Sequence, residues 1–196
     1  ITTKITGVIL AGGLGRRMGN AGKGLRMLRG KPMVRWVWER LSPQVDEVLI
    51  NANRNLDEYA RLGCKVVPDE VGGYAGPLAG LERGLAEAAC PLVATVPCDS
   101  PFLPLDLVKR LRDELERNGA QLAVAKTFDQ PHPVFCLARK DLHSHLIAFL
   151  QAGGRKIDAW YAALKVVEVR FDDEPEAFSN INTAEELAAS EAKAGS

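Results

Sequence analysis

The hydrophobic positions of the chain follow two alternating patterns. Short runs of apolar and β-branched residues predict buried strands, whereas apolar residues spaced at i, i+3 and i+4 predict amphipathic helices. Residues 105–118 give the clearest helix, because Leu107, Leu111 and Leu115 share one face. Gly119 follows directly and is expected to end it.

These patterns place strands and helices in alternation along most of the chain. The predicted strands cover residues 5–11, 47–51, 64–67, 92–96, 120–126, 133–137 and 165–170. The predicted helices cover residues 32–41, 56–62, 77–89, 105–118, 140–151 and 156–164, and a capping box at residues 183–186 opens a last helix. This alternation with short connections predicts an α/β fold in three layers, a mostly parallel sheet with helices on both faces. The 196 residues predict a single domain.

Composition and charge exclude several classes of protein. Lys and Arg together number 25, as do Asp and Glu, so the net charge is zero and no broad basic face for nucleic acid is expected. No apolar run approaches the roughly 18 residues of a membrane span, and the first residues do not read as a signal peptide. The four cysteines are scattered, as is typical of a reducing compartment. We therefore expect a cytoplasmic protein with no membrane and no nucleic-acid partner.

The segment that follows the first predicted strand is rich in glycine and in positive charge. Residues 12–24 contain six glycines and three cations. Glycines let backbone N–H groups approach phosphate oxygens, and cations balance the charge of a triphosphate. In an open parallel sheet this first loop is the usual phosphate site. A nucleotide loop is therefore expected here, and the alternative is a flexible loop with solvated arginines.

Two common nucleotide loops are excluded. A P-loop requires Gly-Lys followed by Ser or Thr, whereas Lys23 is followed by Gly24. A dinucleotide fingerprint requires G-x-G-x-x-G and an acidic residue at the end of the second strand, but that strand ends at Asn51. The loop belongs to another class of nucleotide site.

The run LAGGLGRRMGNAGK at residues 10–23 resembles the signature of nucleotidyltransferases that activate sugars and cofactors. Further stretches make nearly the whole chain similar to the molybdenum cofactor guanylyltransferase family. They are NANR at 51–54, GPLAG at 76–80, PCDSP at 97–101 and NINT at 180–183. One position departs from the family pattern, since Gly22 stands where Asp is usual.

The resemblance implies a Rossmann-like nucleotidyltransferase fold. Residues 1–118 would bind the nucleotide and residues 119–196 the acceptor. The loop residues assigned to the nucleotide are Leu10, Ala11, Gly12, Gly13, Gly15 and Lys23. The catalytic residues implied are Arg17, Lys23 and Asp99.

Asp99 follows the strand predicted over residues 92–96 and stands between Pro97 and Pro101. A nucleoside triphosphate arrives with Mg²⁺, which takes one or two carboxylates together with phosphate oxygens and water. Asp99 is therefore a candidate magnesium ligand, and a turn or capping role is the alternative. The resemblance favours the metal.

Four further residues are candidates for the nucleotide. Asn51 and Asp69 belong on the same sheet edge as the glycine-rich loop, and the resemblance implies that both bind the nucleotide. Asn51 and Asp69 follow the second and third strands, where an amide and a carboxylate suit base edges and ribose hydroxyls. Gly76 and Gly80 flank the start of a helix. Solvated loop residues are the alternative for the first two, and tight turns for the glycines.

The second half of the chain is expected to hold the acceptor, a molybdopterin phosphate. Arg155 supplies positive charge for an anionic ligand, and His132 lies ahead of a strand in the same half. The resemblance directs Asn180 and Asn182 to the pterin. Solvated loop residues are the alternative for Arg155 and His132, and a helix N-cap for Asn182.

The reaction that the resemblance implies joins GMP from GTP to molybdopterin and releases pyrophosphate. Other proteins of cofactor biosynthesis or molybdoenzyme maturation are the protein partners it suggests. Two alternatives remain open from the residues. One is a cytidylyltransferase that acts on the same pterin or on a sugar phosphate, and the other is a nucleotide-binding protein without catalytic activity.

Overall fold

The predicted strands assemble into one large sheet in a computed structural model that describes residues 3–12, 23–69, 76–179, 181 and 184–194. The strands are β1 (Ile5–Leu10), β2 (Met27–Leu28), β3 (Lys31–Pro32), β4 (Glu47–Asn51), β5 (Lys65–Val67), β6 (Leu92–Pro97), β7 (Leu122–Thr127), β8 (Gln130–Arg139) and β9 (Val166–Arg170). The helices are α1 (Met33–Leu41), α2 (Leu56–Ala60), α3 (Pro77–Glu87), α4 (Leu107–Arg117), α5 (His143–Gln151), α6 (Ile157–Tyr161) and α7 (Ala184–Ala194).

The large sheet has seven strands in the order β5-β4-β1-β6-β8-β7-β9, and β2 and β3 form a separate hairpin. Strands β5, β4, β1 and β6 are mutually parallel. Strand β8 runs antiparallel to both of its neighbours, and β9 is parallel to β7. The predicted mostly parallel sheet is confirmed, and the carboxyl ends of its first four strands meet at one edge.

Helices cover both faces of the sheet, because successive side chains of a strand point to opposite sides. Ile5 and Ile9 of β1 pack into a core with α1 and α4. Val8, between them, packs on the other face with α3, α5 and α6. The three-layer arrangement predicted from the sequence is therefore present.

Several boundaries differ from the sequence prediction. Strand β8 was expected over residues 133–137 but covers Gln130–Arg139. Helix α6 is shorter than the predicted 156–164, and α5 begins after a short 3-10 segment at Lys140–Leu142. The small hairpin of β2 and β3 was not predicted at all.

The last helix and the lengths of the helices complete the description of the fold. Helix α7 confirms the last predicted helix from residue 184 onward, while Thr183 of the proposed capping box lies outside the described residues. Within the described part of the chain, no helix combines the length and apolar character that crossing a bilayer requires.

Candidate functional site

Predicted site residues gather where the parallel strands end. Leu10 is the last residue of β1 and Asn51 the last of β4, while Asp69 and Asp99 lie just past the ends of β5 and β6. Main-chain hydrogen bonds extend the pairing beyond the strands, from Ala11 N to Asn51 O at 2.7 Å and from Cys98 N to Leu10 O at 3.1 Å. The first residues of the loops after β1 and β6 are thus held by main-chain hydrogen bonds to the neighbouring strands.

Asn51 stands at the centre of a hydrogen-bond network. Its side chain is 2% exposed, and its Nδ2 donates to Val67 O at 3.1 Å and to Asp69 Oδ1 at 2.9 Å. Asn53 closes the network, since its Nδ2 donates to Asp69 Oδ2 at 3.0 Å and its Oδ1 accepts from Asp69 N at 2.8 Å. The same Asn53 Nδ2 lies 3.4 Å from Gly12 O. The network fixes the Asp69 carboxylate beside the start of the glycine-rich loop.

Asn53 is a site residue that the motifs did not single out, although it belongs to NANR at 51–54. The signal was the repeat of Asn at residues 51 and 53, directly after a strand end. Both amides reach Asp69, in the loop that follows the next strand.

Helix α3 approaches the network closely. A β-carbon on Gly80 would stand 2.6 Å from both Asn51 Oδ1 and Leu10 Cδ2, so close packing explains this glycine. Gly76 has a φ of +83° with open space around it, which fits the tight-turn alternative. Both glycines therefore have structural reasons, and a nucleotide contact for either remains a prediction.

Asp99 and Lys23 form the charged part of the site. Asp99 is 5% exposed, and its Oδ2 lies 3.7 Å from Lys23 Nζ. Burial raises the pKa of the Asp99 carboxyl, and the Lys23 ammonium opposes that shift. The carboxylate is thus largely desolvated beside a cation at a distance too long for a good hydrogen bond.

These features fit a magnesium ligand. A hard, buried carboxylate oxygen suits Mg²⁺, which draws its other ligands from substrate oxygens and water. Across the described ranges, no group of three or more His, Cys, Asp or Glu side chains is placed to hold a metal by itself.

The segment that begins at Lys23 packs against buried side chains. Lys23 begins a 3-10 segment, Lys23–Leu25, whose Gly24 is buried. A β-carbon on Gly24 would stand 3.1 Å from Cys98 Cβ, from Tyr59 Oη and from Val34 Cβ. Cys98 is buried and packs here, and burial raises the pKa of its thiol.

Several predicted residues cannot be placed. Gly13, Gly15, Arg17, Asn180 and Asn182 lie outside the described residues. Their roles stay predictions.

Arg155 follows α5, away from the Asp99 loop in sequence. Its guanidinium donates to Leu150 O at 3.0 Å and to Gly154 O at 2.6 Å, which fixes it at the end of that helix. Its role toward an acceptor stays a prediction.

His132 is held by its neighbours. Its ring stacks on Phe178 at 5.0 Å between centroids, and its Nε2 lies 2.7 Å from Thr127 Oγ1. Burial lowers the pKa of the imidazole, which favours the neutral form. A cationic role for His132 is therefore disfavoured.

Comparison with known proteins defines the class and then the family. Residues 7–166 match the model of the MobA-like NTP transferase domain. The molybdenum cofactor guanylyltransferase of Cupriavidus taiwanensis is 50% identical over 194 residues, covering 96% of this chain and 97% of that protein. The protein of the same name from Bordetella petrii is 52% identical over 189 residues, covering 94% and 96%.

A solved structure of a protein with a related name has the same fold. Molybdopterin-guanine dinucleotide biosynthesis protein A from Archaeoglobus fulgidus superposes with a TM-score of 0.80 at 26% identity, covering 97% of this chain and 98% of that one. The chain therefore belongs to the molybdenum cofactor guanylyltransferases of the MobA-like NTP transferase family.

Proposed function

We propose that this protein transfers GMP from GTP to the phosphate of molybdopterin, forming the guanine dinucleotide cofactor and pyrophosphate. The observation that carries the proposal is the meeting of the Asn51–Asp69 network and the Asp99–Lys23 pair at one sheet edge. Identity of about half over nearly the full length to proteins named for this activity supports it. It also favours this reaction over the cytidylyl and non-catalytic alternatives.

The nucleotide is assigned to the first half of the chain. Asn51, Asn53 and Asp69 would bind the base or ribose, since the two amides fix the Asp69 carboxylate, whose remaining lone pairs can accept from ribose hydroxyls or base N–H groups. The loop that starts at Gly12 would take the phosphates through its backbone N–H groups. Leu10 and Ala11 would line its entrance.

The chemistry needs positioning and charge neutralisation more than a catalytic base. The acceptor phosphate is already anionic, so its oxygen can attack the α-phosphorus of GTP directly. A new P–O bond forms there as the bond to the β-phosphate oxygen breaks, and pyrophosphate leaves with the electron pair. Lys23 and Arg17 would stabilise the negative charge that gathers on that leaving group.

Asp99 would hold Mg²⁺, as its burial and carboxylate chemistry fit. When bound, the ion would lower the charge repulsion between the triphosphate and the attacking phosphate. Asp99 itself keeps its carboxylate desolvated and fixed, which strengthens its interaction with any cation at this edge.

The acceptor is assigned to residues 119–196, with Arg155, Asn180 and Asn182 as its contacts, within one nucleotidyltransferase domain. Partners from cofactor biosynthesis or molybdoenzyme maturation would supply the pterin and receive the product. The proposal places the reaction in the cytoplasm, which the free state of all four cysteines supports.

Thermal unfolding with GTP, CTP, ATP or UTP, each with Mg²⁺, tests the nucleotide. GTP at about 100 times its dissociation constant should stabilise the protein by about 2.7 kcal/mol. The shift should need Mg²⁺ and should weaken in Asp99→Ala but not in Asp113→Ala, a control on the exposed face of α4. A preference for CTP would support the cytidylyl alternative instead.

Pyrophosphate release with GTP and molybdopterin tests the transfer. We expect release by the wild-type protein and by Asp113→Ala, and none by Asp99→Ala. Binding of GTP without release would support the non-catalytic alternative, and normal turnover of Asp99→Ala would remove Asp99 from the metal site.

A further inference from the structure

Tyr59 is a buried residue that the reaction as described does not use. It lies on α2, is 1% exposed and is among the largest fully buried side chains. Its hydroxyl is also buried, yet it has no hydrogen-bond partner among the described residues. A buried hydroxyl without a hydrogen bond destabilises the folded state, so a phenylalanine would fill this place more favourably.

The position of that hydroxyl connects it to the two charged site residues. It lies against the backbone of Gly24, where a β-carbon would come within 3.1 Å of it and of Cys98 Cβ. Gly24 follows Lys23 in the chain, and Cys98 precedes Asp99. Tyr59 Oη and Cys98 Cβ therefore both face the Gly24 backbone, next to the residues of the Lys23–Asp99 pair.

The electrostatics at this place agree with the geometry. Burial raises the pKa of the Tyr59 hydroxyl, and the nearby Gly24 backbone acts in the opposite direction. The hydroxyl is thus neutral and within the influence of the Gly24 amide, which is a neighbour of the loop cation.

We propose that Tyr59 is a positioning residue whose hydroxyl supports the Gly24 backbone and so holds Lys23 beside Asp99 when GTP binds. The inference rests on the proposed function for the identity of the nucleotide. This role would explain why a destabilising buried hydroxyl stands at position 59. Because Lys23 and Gly24 are adjacent, any shift of the Gly24 backbone also moves Lys23.

Tyr59→Phe tests this directly, since it removes only the oxygen. The unfolding midpoint should stay equal or rise, because an unsatisfied polar atom is lost. The dissociation constant for GTP with Mg²⁺ should increase about five- to tenfold, the effect of losing one hydrogen bond of ordinary strength that the Gly24 N–H donates to the hydroxyl as GTP binds. Tyr161→Phe, the same change on α6, should leave the GTP affinity unaltered.

A double-mutant cycle with Lys23→Ala separates positioning from packing. If Tyr59 acts through Lys23, Tyr59→Phe should have no further effect on GTP affinity once Lys23 is alanine. Wild-type affinity in Tyr59→Phe, or an equal loss in both backgrounds, would overturn the inference. The titration needs no acceptor, so a wild-type protein that binds GTP but releases no pyrophosphate counts against the proposed function alone.

Discussion

At the scale of single residues, the close approach of Gly80 to Asn51 decides whether the Asn51–Asp69 hydrogen-bond network can form. Gly80→Ala places a β-carbon 2.6 Å from Asn51 Oδ1 and Leu10 Cδ2. Asn51 must move, and its bonds to Val67 and Asp69 are then disturbed. We expect the dissociation constant for GTP, measured by titration, to rise about tenfold or more, the cost of one or two hydrogen bonds.

Gly84→Ala provides the control on the same helix. Its β-carbon would meet Val8 Cγ2 at 2.8 Å, in the core and away from Asn51. Overpacking should cost each variant about 1–3 kcal/mol of unfolding free energy, offset by about 1 kcal/mol of helix propensity. Only Gly80→Ala should lose GTP affinity. Equal GTP affinities in the two variants would argue against a role of the Asn51–Asp69 network in GTP binding.

The burial of Asp99 predicts a pH-dependent cost to stability. Because the folded-state pKa of this carboxyl is raised, the native state holds its proton more tightly than the unfolded state does. The wild type therefore loses stability relative to Asp99→Asn as the pH rises from the ordinary carboxyl range through the raised pKa. In urea unfolding without Mg²⁺, Asp99→Asn should be the more stable protein at neutral pH, and the difference should fade in acid.

Asp113→Asn should show the opposite sign. The Asp113 carboxylate accepts a hydrogen bond from Lys109 at 2.6 Å, which lowers its pKa. Its contribution is present above the ordinary carboxyl pKa and is lost as the pH falls, so this variant should be the slightly less stable one at neutral pH. Asp99→Asn should also lose turnover by about 100-fold or more, while Asp113→Asn keeps it.

At the scale of elements, the sequence predicts the strands of the parallel part well, because β1, β4 and β6 are short apolar runs buried on both faces. Strand β8 shows where prediction fails. The strand was expected to begin at Pro133, yet it extends back through Pro131 to Gln130. Pairing with β6 involves only residues 136–139, so the prolines occupy a stretch with β7 on one side alone.

Other features could not be predicted because tertiary contacts decide them. The hairpin of β2 and β3 turns through Arg29 and Gly30, both with positive φ, and Arg is not a residue that marks such a turn. The place of Tyr59 under Gly24 joins α2 to a loop distant in sequence. By contrast, the positions of Asn51 at the end of β4 and of Asp99 just past the end of β6 could be predicted, because the hydrophobic runs stop there.

Helix α6 is short, with Trp160 buried and Ile157 and Tyr161 partly buried against the same core. Trp160 is fully buried there, and its Nε1 donates to His145 Nδ1 of α5 at 2.9 Å. Trp160→Ala should lower the unfolding free energy by about 3–5 kcal/mol, as measured by urea denaturation. Trp160→Phe keeps most of the ring and should lose about 1–2 kcal/mol. A midpoint near wild type for the alanine variant would show that α6 is held by other contacts.

At the scale of the whole molecule, one sheet carries both proposed substrate sites. Strands β1, β4, β5 and β6 end near the Asn51–Asp69 hydrogen-bond network and near Asp99. Strands β7, β8 and β9 belong to the proposed acceptor half. The two substrates should therefore respond to different substitutions.

Asn53→Ala and Arg155→Ala test this division. Asn53→Ala removes the side chain that holds Asp69, so the dissociation constant for GTP should rise about fivefold or more, with the KM for molybdopterin unchanged. Arg155→Ala should raise the KM for molybdopterin and leave GTP binding alone. Lys156→Ala removes an equal charge at the next position and should have a much smaller effect. Weakened GTP binding in Arg155→Ala would contradict the division.

A main-chain hydrogen bond from Ile181 N to Asp99 O at 2.9 Å joins the chain's last segment to the loop that carries Asp99. Every residue type except proline carries that donor. The Ile181 side chain is 4% exposed and packs with Leu28 and Met33, and Phe102 packs against the same cluster. Position 181 should therefore accept other apolar residues of similar size, but neither proline nor a charged side chain.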